Sequence, residues 1–479
     1  MQRITSERRW PLFDIAATRR LEQQAATRLN PHALMQRAGL AVARLALAVA
    51  PHATTVWVAC GPGNNGGDGL EAAMHLQRWG KAPHVSWLGD ESTAPPDCLA
   101  SLARAREAGV SISEVPPAAW DLAVDALLGI GSSRAPEGRM AEWIAQMNGA
   151  TASVLAADVP SGLNGDTGMG TAVRATHTLS LLTLKPGLFT AQGRDAAGTI
   201  WFDDLGVAVD ASDIQACAWL ASPLPTTLRL HASHKGSYGD VTVIGGAPGM
   251  GGAALLAGSA ALHGGAGRVF VCLLDCAAMT VDAARPELMM RAWDSLELGS
   301  MSVACGCGGG DAIRQVLPAI LSTARDLVLD ADALNAIAAD PQLQSQLKAR
   351  AGRSGRFTVM TPHPLEAARL LRRSTADIQA NRLLAAAELA QRFSCVAVLK
   401  GSGSITASPG ELPVINFTGN PKLATAGTGD VLAGMIAARL AQGVAAFPAA
   451  QQAVHAHGAL ADNWPAGQPL TASALAGRA

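Results

Sequence analysis

The sequence has little charge and few aromatic residues other than tryptophan. Charged residues make up 16% of the 479 residues and hydrophobic ones 49%, with ten Trp, eight Phe and one Tyr. A long disordered chain is excluded, because disordered chains are poor in apolar residues and rich in net charge. The formal net charge is −1, from 37 basic and 38 acidic side chains. With no basic run to neutralise phosphates, general binding to nucleic acid or to a membrane surface is disfavoured.

Cysteine and lysine are also scarce. Eight cysteines, none in CxxC spacing, are too few for a disulfide framework. The first ten residues, MQRITSERRW, are charged and lack the apolar region of a signal peptide. We therefore expect a cytoplasmic protein with reduced thiols. Only six basic residues are lysines, and a chain that otherwise uses arginine is expected to keep lysine where a compact ammonium group is needed.

Short β-type runs alternate with Ala- and Arg-rich helical stretches along most of the chain, which is about three times the length of a typical domain. The rhythm fades near residue 210, and the segment 221–236, rich in Pro, Ser and Thr, is typical of a linker. The sequence therefore predicts two α/β domains, 1–215 and 225–479. The first is predicted to be Rossmann-like, a three-layer αβα sandwich with a mostly parallel sheet. The predicted strands are 54–59, 84–88, 122–126, 153–157 and 178–182, then 241–244, 268–273, 301–304, 327–329, 357–360 and 396–399.

A glycine-rich segment follows the first of these strands. Residues 56–70, VWVACGPGNNGGDGL, predict a strand, a turn with five glycines and a helix that starts near Asp68. Backbone amides at such a turn and the following helix N-terminus favour an anion. Asn64 and Asn65 add oxygens that suit a hard cation or a ribose. The segment is neither a Walker A loop nor G-x-G-x-x-G, and a plain tight turn is the alternative.

Two aspartates occupy similar positions. Asp125 lies near the end of one predicted strand and precedes a Gly/Ser loop, and Asp158 follows the next strand. Ligands of parallel α/β folds bind at the carboxyl edge of the sheet, so these carboxylates are candidate site residues. Capping of a following helix is the alternative for either residue alone.

Four segments of the first domain, GPGNNGGDG, VDALLGIG, DVPSGLNGDTG and LTLKPGL, resemble the YjeF N-terminal family, the NAD(P)H-hydrate epimerases. The resemblance covers about residues 10–210. It implies a K+ ion held by Asn65, Asp125 and Ser161. It also implies that the hydrated dinucleotide is contacted by Asn64, Asn65, Gly66, Gly67, Asp68, Gly129, Ile130, Gly131, Ser132, Ser133, Arg134, Ala135 and Asp158.

The implied chemistry is plausible for these residue types. The hydrate carries a hydroxyl beside the ring nitrogen, whose lone pair helps to expel it. Asp158 is then the general acid/base while water attacks the other face. Lys185 is either a positioning charge or a surface lysine.

The second domain contains a phosphoryl-transfer pattern. In GTGD, residues 427–430, a Gly-Thr-Gly turn opens a helix and offers free N–H groups to a phosphate. Asp430 is placed to orient or deprotonate an attacking hydroxyl, although an acid there is also favourable with the helix dipole alone. His363 in TPHPLE either contacts substrate or caps a helix.

The second domain resembles the ADP-dependent NAD(P)H-hydrate dehydratases, a branch of the ribokinase-like α/β fold, over about residues 225–470. The family's GPGLG, PHPGE and NPGMATGGTGD appear here as GCGGG, PHPLE and NPKLATAGTGD, so that Cys307, Leu365 and Lys422 are departures. The resemblance implies ADP, with Mg2+, at the KGSGS loop and the GTGD turn. The implied ADP contacts are Lys400, Gly401, Ser402, Gly403, Ser404 and Gly429, and the implied hydrate contacts are Ala253, Gly308, His363 and Asp430, with Asp430 as the base.

These observations predict a bifunctional metabolite-repair enzyme. One domain epimerises hydrated NADH and NADPH (NADHX and NADPHX), and the other dehydrates the S form while ADP becomes AMP and phosphate. We expect small-molecule partners only, with no nucleic acid or membrane, and a homo-oligomer. The alternatives are a ribokinase-like small-molecule kinase with an N-terminal ligand-binding or dimerisation module, and a non-enzymatic scaffold of the kind found in RNA decay.

Overall fold

The chain forms two compact units, which are described here from a computed structural model. The structure describes residues 1–131, 134–210, 213–225, 229–275 and 279–479. One unit comprises Met1–Thr5 and Trp10–Ala218, and the other Ser6–Arg9 and Trp219–Ala479. Within the described ranges, no helix has the length and apolar character that a membrane crossing needs.

The N-terminal unit is built on a sheet with the strand order β1-β9-β8-β7-β6-β3-β4-β5. All neighbouring strands are parallel except β1 and β9. Its elements are β1 Gln2–Arg3, β2 Trp10–Leu12, α1 Ile15–Arg28, α2 Ala33–Val49, β3 Thr55–Cys60, α3 Asn64–Arg78, β4 Ala82–Trp87, α4 Pro96–Glu107, β5 Ser111–Ser113, β6 Leu122–Ala126, α5 Gly138–Gly149, β7 Ser153–Ala157, β8 His177–Leu181, α6 Gly193–Ala196 and β9 Thr199–Asp203.

Alternate residues of β3 pack on opposite faces of this sheet. Val56 and Val58 join a core with helices α1 to α4. Trp57 and Ala59 join Trp143 of α5 in a second core. Side chains of a strand alternate with a period of two, so this arrangement places helices on both faces. The predicted three-layer αβα sandwich is confirmed.

The C-terminal unit is also α/β, with its strands in the order β13-β12-β11-β14-β15-β16-β17-β18-β19-β10. Only the pairs β17–β18 and β18–β19 of this series are antiparallel. Its elements are β10 Ala218–Leu220, β11 Asp240–Gly245, α7 Gly251–His263, β12 Arg268–Leu273, β13 Met289–Met290, β14 Ser302–Cys305, α8 Ile313–Thr323, β15 Asp326–Leu329, α9 Ala331–Ala339, α10 Pro341–Ala351, β16 Phe357–Met360, α11 Pro364–Leu371, α12 Thr375–Ala380, α13 Arg382–Phe393, β17 Val396–Leu399, β18 Ile405–Ala407, β19 Val414–Ile415, α14 Thr428–Ala441, α15 Ala446–Asp462 and α16 Ala472–Ala476.

Helix α14 is held closely against α7 in a core of small aliphatic side chains. An added Cβ at Gly434 would overlap the carbonyl oxygen of Ala257. Glycine at this position therefore lets the two helices touch through their backbones. Val431 and Ile436 of α14 are fully buried in the same core. This packing fixes the N-terminus of α14, where Asp430 lies.

Candidate active sites

A cavity of about 710 Å³ lies at the carboxyl ends of β3, β6 and β7 in the N-terminal unit. Carboxyl ends of parallel strands share one edge of a sheet, where ligands of such folds bind. The predicted residues Asn64, Asn65, Asp68, Gly129, Ile130, Gly131 and Asp158 line the cavity, together with Thr18, Arg19, Glu22, Asp97 and Lys185, among others.

Helix α3 begins at Asn64, so the prediction of a start near Asp68 is wrong by about one turn. The glycines that suggested a longer turn instead allow close packing of the helix. A Cβ at Gly66 would overlap the carbonyl oxygen of Gly61, and one at Gly67 would lie 2.5 Å from Met35 Sδ. Asn64 consequently lies in the first helical turn, at the positive end of the helix dipole.

The structure brings two of the three predicted K+ ligands into direct contact. Asp125 Oδ2 accepts from the Ser161 backbone N–H at 2.8 Å, and Oδ1 accepts from Ser161 Oγ at 2.5 Å. Burial raises the pKa of Asp125 to about 6. Asn65 Nδ2 is buried and has no hydrogen-bond partner in the described chain, and Asn65 Oδ1 is 3.2 Å from where a Cβ on Gly129 would be. Oxygen donors around a buried carboxylate fit a hard cation.

Asp158 is held by a lysine that lies completely inside the unit. Lys185 Nζ donates to Asp158 Oδ1 and, at 2.7 Å, to the Leu181 carbonyl oxygen. Lys185 is 0% exposed, so its alternative as a surface lysine is wrong. Asp158 has the positive φ of 68° and accepts from the Leu181 N–H at 3.2 Å. In the described part of the chain, no helix starts directly after Asp125 or Asp158, so neither residue is a helix cap.

The remaining predicted contacts divide into three groups. Gly66 and Gly67 are buried by packing, and neither they nor Arg134 and Ala135 line the cavity. Ser132 and Ser133 lie outside the described residues. The sequence interpretation missed the α1 wall, where Thr18, Glu22 and Ala26 recur every four residues. The sequence did contain a signal for this wall. Thr18 and Glu22 are polar residues four positions apart, on the same side of the helix as the buried Leu21 and Ala25.

In the C-terminal unit, α14 starts immediately after Gly427, whose φ is +88°. Asp430 lies in the first turn, and an added Cβ on Gly429 would be 3.3 Å from Lys400 Nζ. The ammonium group and the unpaired amides of the helix N-terminus are thus neighbours. An ammonium group beside a helix N-terminus is an arrangement that favours a phosphate, although the Asp330 and Asp430 carboxylates lie close by.

Lys400, which follows β17, is fixed by an aspartate that follows β15, two strands away in the sheet. Its Nζ lies 2.5 Å from Asp330 Oδ1, and the same oxygen accepts from Thr361 Oγ1 at 2.9 Å. Asp330 is 2% exposed. The sequence analysis did not identify Asp330 as the partner of Lys400, which is 70 residues away along the chain.

Asp430 lies outside this ion pair but close to it. Single ligand atoms of Cys307, Asp330 and Asp430 all lie within 4.8 Å of one another. Burial and, next, the charge of Asp330 raise the pKa of Asp430 to about 6, while a hydrogen bond from the Cys307 thiol and the Lys400 charge lower it. Burial raises the pKa of the Cys307 thiol, which therefore keeps its proton and donates. Asp430 is poised to accept a proton near neutral pH.

The other predicted contacts of this unit are distributed around the same sheet edge. A Cβ on Gly308 would be 2.9 Å from Ala253 Cβ, so the structure brings these two residues together. His363 caps α11, with Nδ1 accepting from Leu365 N–H at 3.1 Å, while Nε2 lies 3.2 Å from Glu366 Oε1. His363 therefore caps this helix, and because its side chain is half-exposed, the predicted substrate contact stays a prediction. In the Lys400–Ser404 loop, Ser404 Oγ accepts from Gly401 N–H at 3.3 Å.

Comparisons with known proteins follow the same division of the chain. The NAD(P)H-hydrate dehydratase family matches residues 241–477, and the family described as YjeF-related protein N-terminus matches residues 31–187. The bifunctional NAD(P)H-hydrate repair enzyme Nnr of Escherichia coli is 38% identical over 95% of this chain and 89% of its own length. The enzyme of the same name from Coxiella burnetii is 36% identical over 94% of each chain.

A solved structure is also similar to part of the chain. ADP/ATP-dependent NAD(P)H-hydrate dehydratase from Bacillus subtilis, co-crystallised with ATP/Mg2+, is 30% identical, with a TM-score of 0.44, over 53% of this chain and 91% of that one.

Each of the two α/β units has a lysine–aspartate pair at the carboxyl ends of its parallel strands. This arrangement is typical of an α/β enzyme with one active site in each unit. The identity over most of the chain makes the assignment more specific. The chain belongs to the family of bifunctional NAD(P)H-hydrate repair enzymes.

Proposed function

We propose that the domain of residues 1–215 interconverts the R and S forms of hydrated NADH and NADPH. The domain of residues 225–479 dehydrates the S form, and ADP becomes AMP and phosphate. The observation that carries the proposal is one reacting carboxylate at each sheet edge, Asp158 beside Lys185 and Asp430 beside the GTG amides. Fusion of the two activities is chemically sensible, because hydration yields both epimers and the second site accepts one of them.

In the first domain, Asp158 is the general acid/base at the hydroxyl-bearing carbon beside the ring nitrogen. The Lys185 ammonium group holds this carboxylate in position. Residues Asn64 to Asp68 and the 129–135 loop bind the dinucleotide. Asn65, Asp125 and Ser161 would hold K+, and the bound ion would supply positive charge close to an anionic substrate. The buried Asp125 carboxylate in contact with Ser161 supports this assignment.

In the second domain, Asp430 accepts the proton of the substrate hydroxyl, whose oxygen then takes the β-phosphoryl group of ADP. AMP is released, phosphate leaves the substrate, and the nicotinamide double bond returns. Residues Lys400 to Ser404 and Gly429 bind ADP, whose accompanying Mg2+ would neutralise phosphate charge. Ala253, Gly308 and His363 face the hydrate beside Asp430, as the closeness of Ala253 to Gly308 supports.

One experiment tests both activities at once. Mixed R and S hydrates are incubated with the full chain, first with ADP and then with ATP, and each species is followed by chromatography. Loss of both epimers with production of AMP and NAD(P)H is the expected result. Phosphorylation of an alcohol by ATP without elimination would instead indicate a small-molecule kinase. A cytoplasmic, homo-oligomeric enzyme without nucleic-acid or membrane partners remains our expectation.

A further inference from the structure

Inversion at the hydroxyl-bearing carbon needs proton transfer on both faces of the ring. On one face the carbon–oxygen bond breaks, and the hydroxyl needs a proton to leave as water. On the other face an incoming water molecule forms the new bond and gives up a proton. Asp158 is placed to serve one face. The partner must be a second titratable group in the same cavity.

Four acidic residues line this cavity: Glu22, Asp68, Asp97 and Asp158. Asp158 is paired with Lys185, and Asp97 Oδ1 with His32 Nδ1. Among the described residues, no hydrogen bond or ion pair holds the side chain of Asp68 or Glu22. Asp68 belongs to the Asn64–Asp68 segment proposed to bind the dinucleotide, whereas Glu22 lies on helix α1, which forms another wall of the cavity.

We propose that Glu22 is the second catalytic acid/base of the epimerase, acting on the ring face opposite Asp158. The proposal rests on the proposed function of the N-terminal domain. In one direction the Glu22 carboxylic acid protonates the departing hydroxyl, and the Asp158 carboxylate takes a proton from the attacking water. Glu22 ends ionised and Asp158 protonated, which is the state required for the reverse direction. No atom or electron is left unbalanced.

The surroundings of Glu22 favour its protonated form. Burial and, second, the charge of Asp158 raise the pKa of Glu22, against Lys185 and Arg19, which lower it, while Asp97 raises it. Burial and the charges of Asp158 and Glu22 in turn raise the pKa of Asp68. A carboxyl group with a raised pKa loses its proton only at higher pH. Activity is therefore expected to fall as pH rises through the pKa of Glu22, giving an alkaline limb to the pH profile.

The test compares Glu22→Gln with wild type in the full chain, using R hydrate alone and then S hydrate with ADP. Gln fills the same space but cannot donate a proton. We expect R consumption to fall roughly 100-fold or more, with its KM nearly unchanged and the alkaline limb absent from the residual activity. Dehydration of S hydrate stays at the wild-type rate and shows that the chain is intact. Glu107→Gln, an exposed glutamate on α4, is the matched control.

Three outcomes would overturn the role of Glu22. The first is wild-type R consumption by Glu22→Gln. The second is a loss of activity that leaves the alkaline limb in place, which would mark a structural role. The third is removal of that limb by Asp68→Asn instead. If wild type itself does not interconvert the epimers, the proposed function of the domain fails, and the role of Glu22 fails with it.

Discussion

Each unit pairs a lysine ammonium group with an aspartate that follows a parallel strand. The two units differ in whether that aspartate is the carboxylate proposed to react. In the N-terminal unit Lys185 pairs with Asp158, the residue proposed for the chemistry. In the C-terminal unit Lys400 pairs with Asp330, and Asp430 is outside the pair. The lysine of the first unit fixes the position of the reacting carboxylate itself, whereas the lysine of the second unit pairs with a neighbour, and burial raises the pKa of the reacting Asp430.

The contrast matches the two proposed reactions. An epimerase site must both give and take a proton, and Asp158 and Glu22 are proposed to share these two roles. A phosphoryl-transfer site needs a base near neutral pH and a positive charge aimed at phosphate. Asp430, with a pKa of about 6, and Lys400, beside Gly429, meet these two needs separately.

Asp430→Asn is expected to have the largest effect. Asn keeps the shape of the side chain but cannot accept the hydroxyl proton, so dehydration should fall roughly 10²–10⁴-fold. The measurement is ADP-dependent recovery of nicotinamide absorbance from S hydrate. Interconversion of the epimers in the same chain should continue at the wild-type rate. A variant that retained more than a small fraction of dehydration would remove Asp430 from its proposed role.

Lys185→Met breaks the buried pair in the N-terminal unit and leaves the Asp158 carboxylate without its partner. Loss of one member of a buried ion pair costs about 3–5 kcal/mol. We expect lower resistance to urea together with loss of epimerisation. The double variant Lys185→Met/Asp158→Asn removes the orphaned charge, so it should regain part of the stability without regaining activity. Equal stability of the single and double variants would contradict the assigned pairing.

Asp330→Asn makes the corresponding change in the C-terminal unit, where the reacting group is outside the pair. Lys400 loses its charged anchor, and we expect the KM for ADP to rise about tenfold, the size of one weakened charged hydrogen bond. Because Asp330 raises the pKa of Asp430, its removal should also move the acid limb of kcat/KM to lower pH. Asp294→Asn, at an exposed position, is the control. An unchanged KM would mean that Lys400 does not need this pair.

The sequence predicted strands well because a parallel strand is a short apolar run that local pattern reveals. The predicted bounds 122–126, 153–157 and 268–273 coincide with the observed strands. The start of α3 was wrong because glycine normally opposes a helix. Here glycine is required inside the helix, since a side chain at Gly66 or Gly67 would collide with neighbouring atoms. Such close contacts depend on the tertiary structure and cannot be read from the neighbouring sequence.

The candidate sites likewise contain residues that short motifs predict and contacts that only the tertiary structure reveals. Asp158 and Asp430 were identified because each stands in a motif whose local geometry carries the chemistry. The partners of the lysines were not, because Lys185 meets Asp158 across 27 positions and Lys400 meets Asp330 across 70. Glu22 was not among the predicted residues, because its segment shows only the periodicity of a helix. The structure places it on the cavity wall formed by α1, which is the basis for the role proposed above.

Cys307→Ala should have the smallest effect and is the finest test of the difference between the two sites. The thiol of Cys307 donates a hydrogen bond that lowers the pKa of Asp430, opposing burial. Without it the pKa of Asp430 should rise, and the acid limb of kcat/KM should move to higher pH, the opposite direction to Asp330→Asn. Cys307→Ser keeps a donor and should return the limb toward its wild-type position. Movement in the same direction for the alanine and Asp330 variants would contradict one of the two assigned contacts, and an unmoved limb in both would show that burial alone sets the pKa of Asp430.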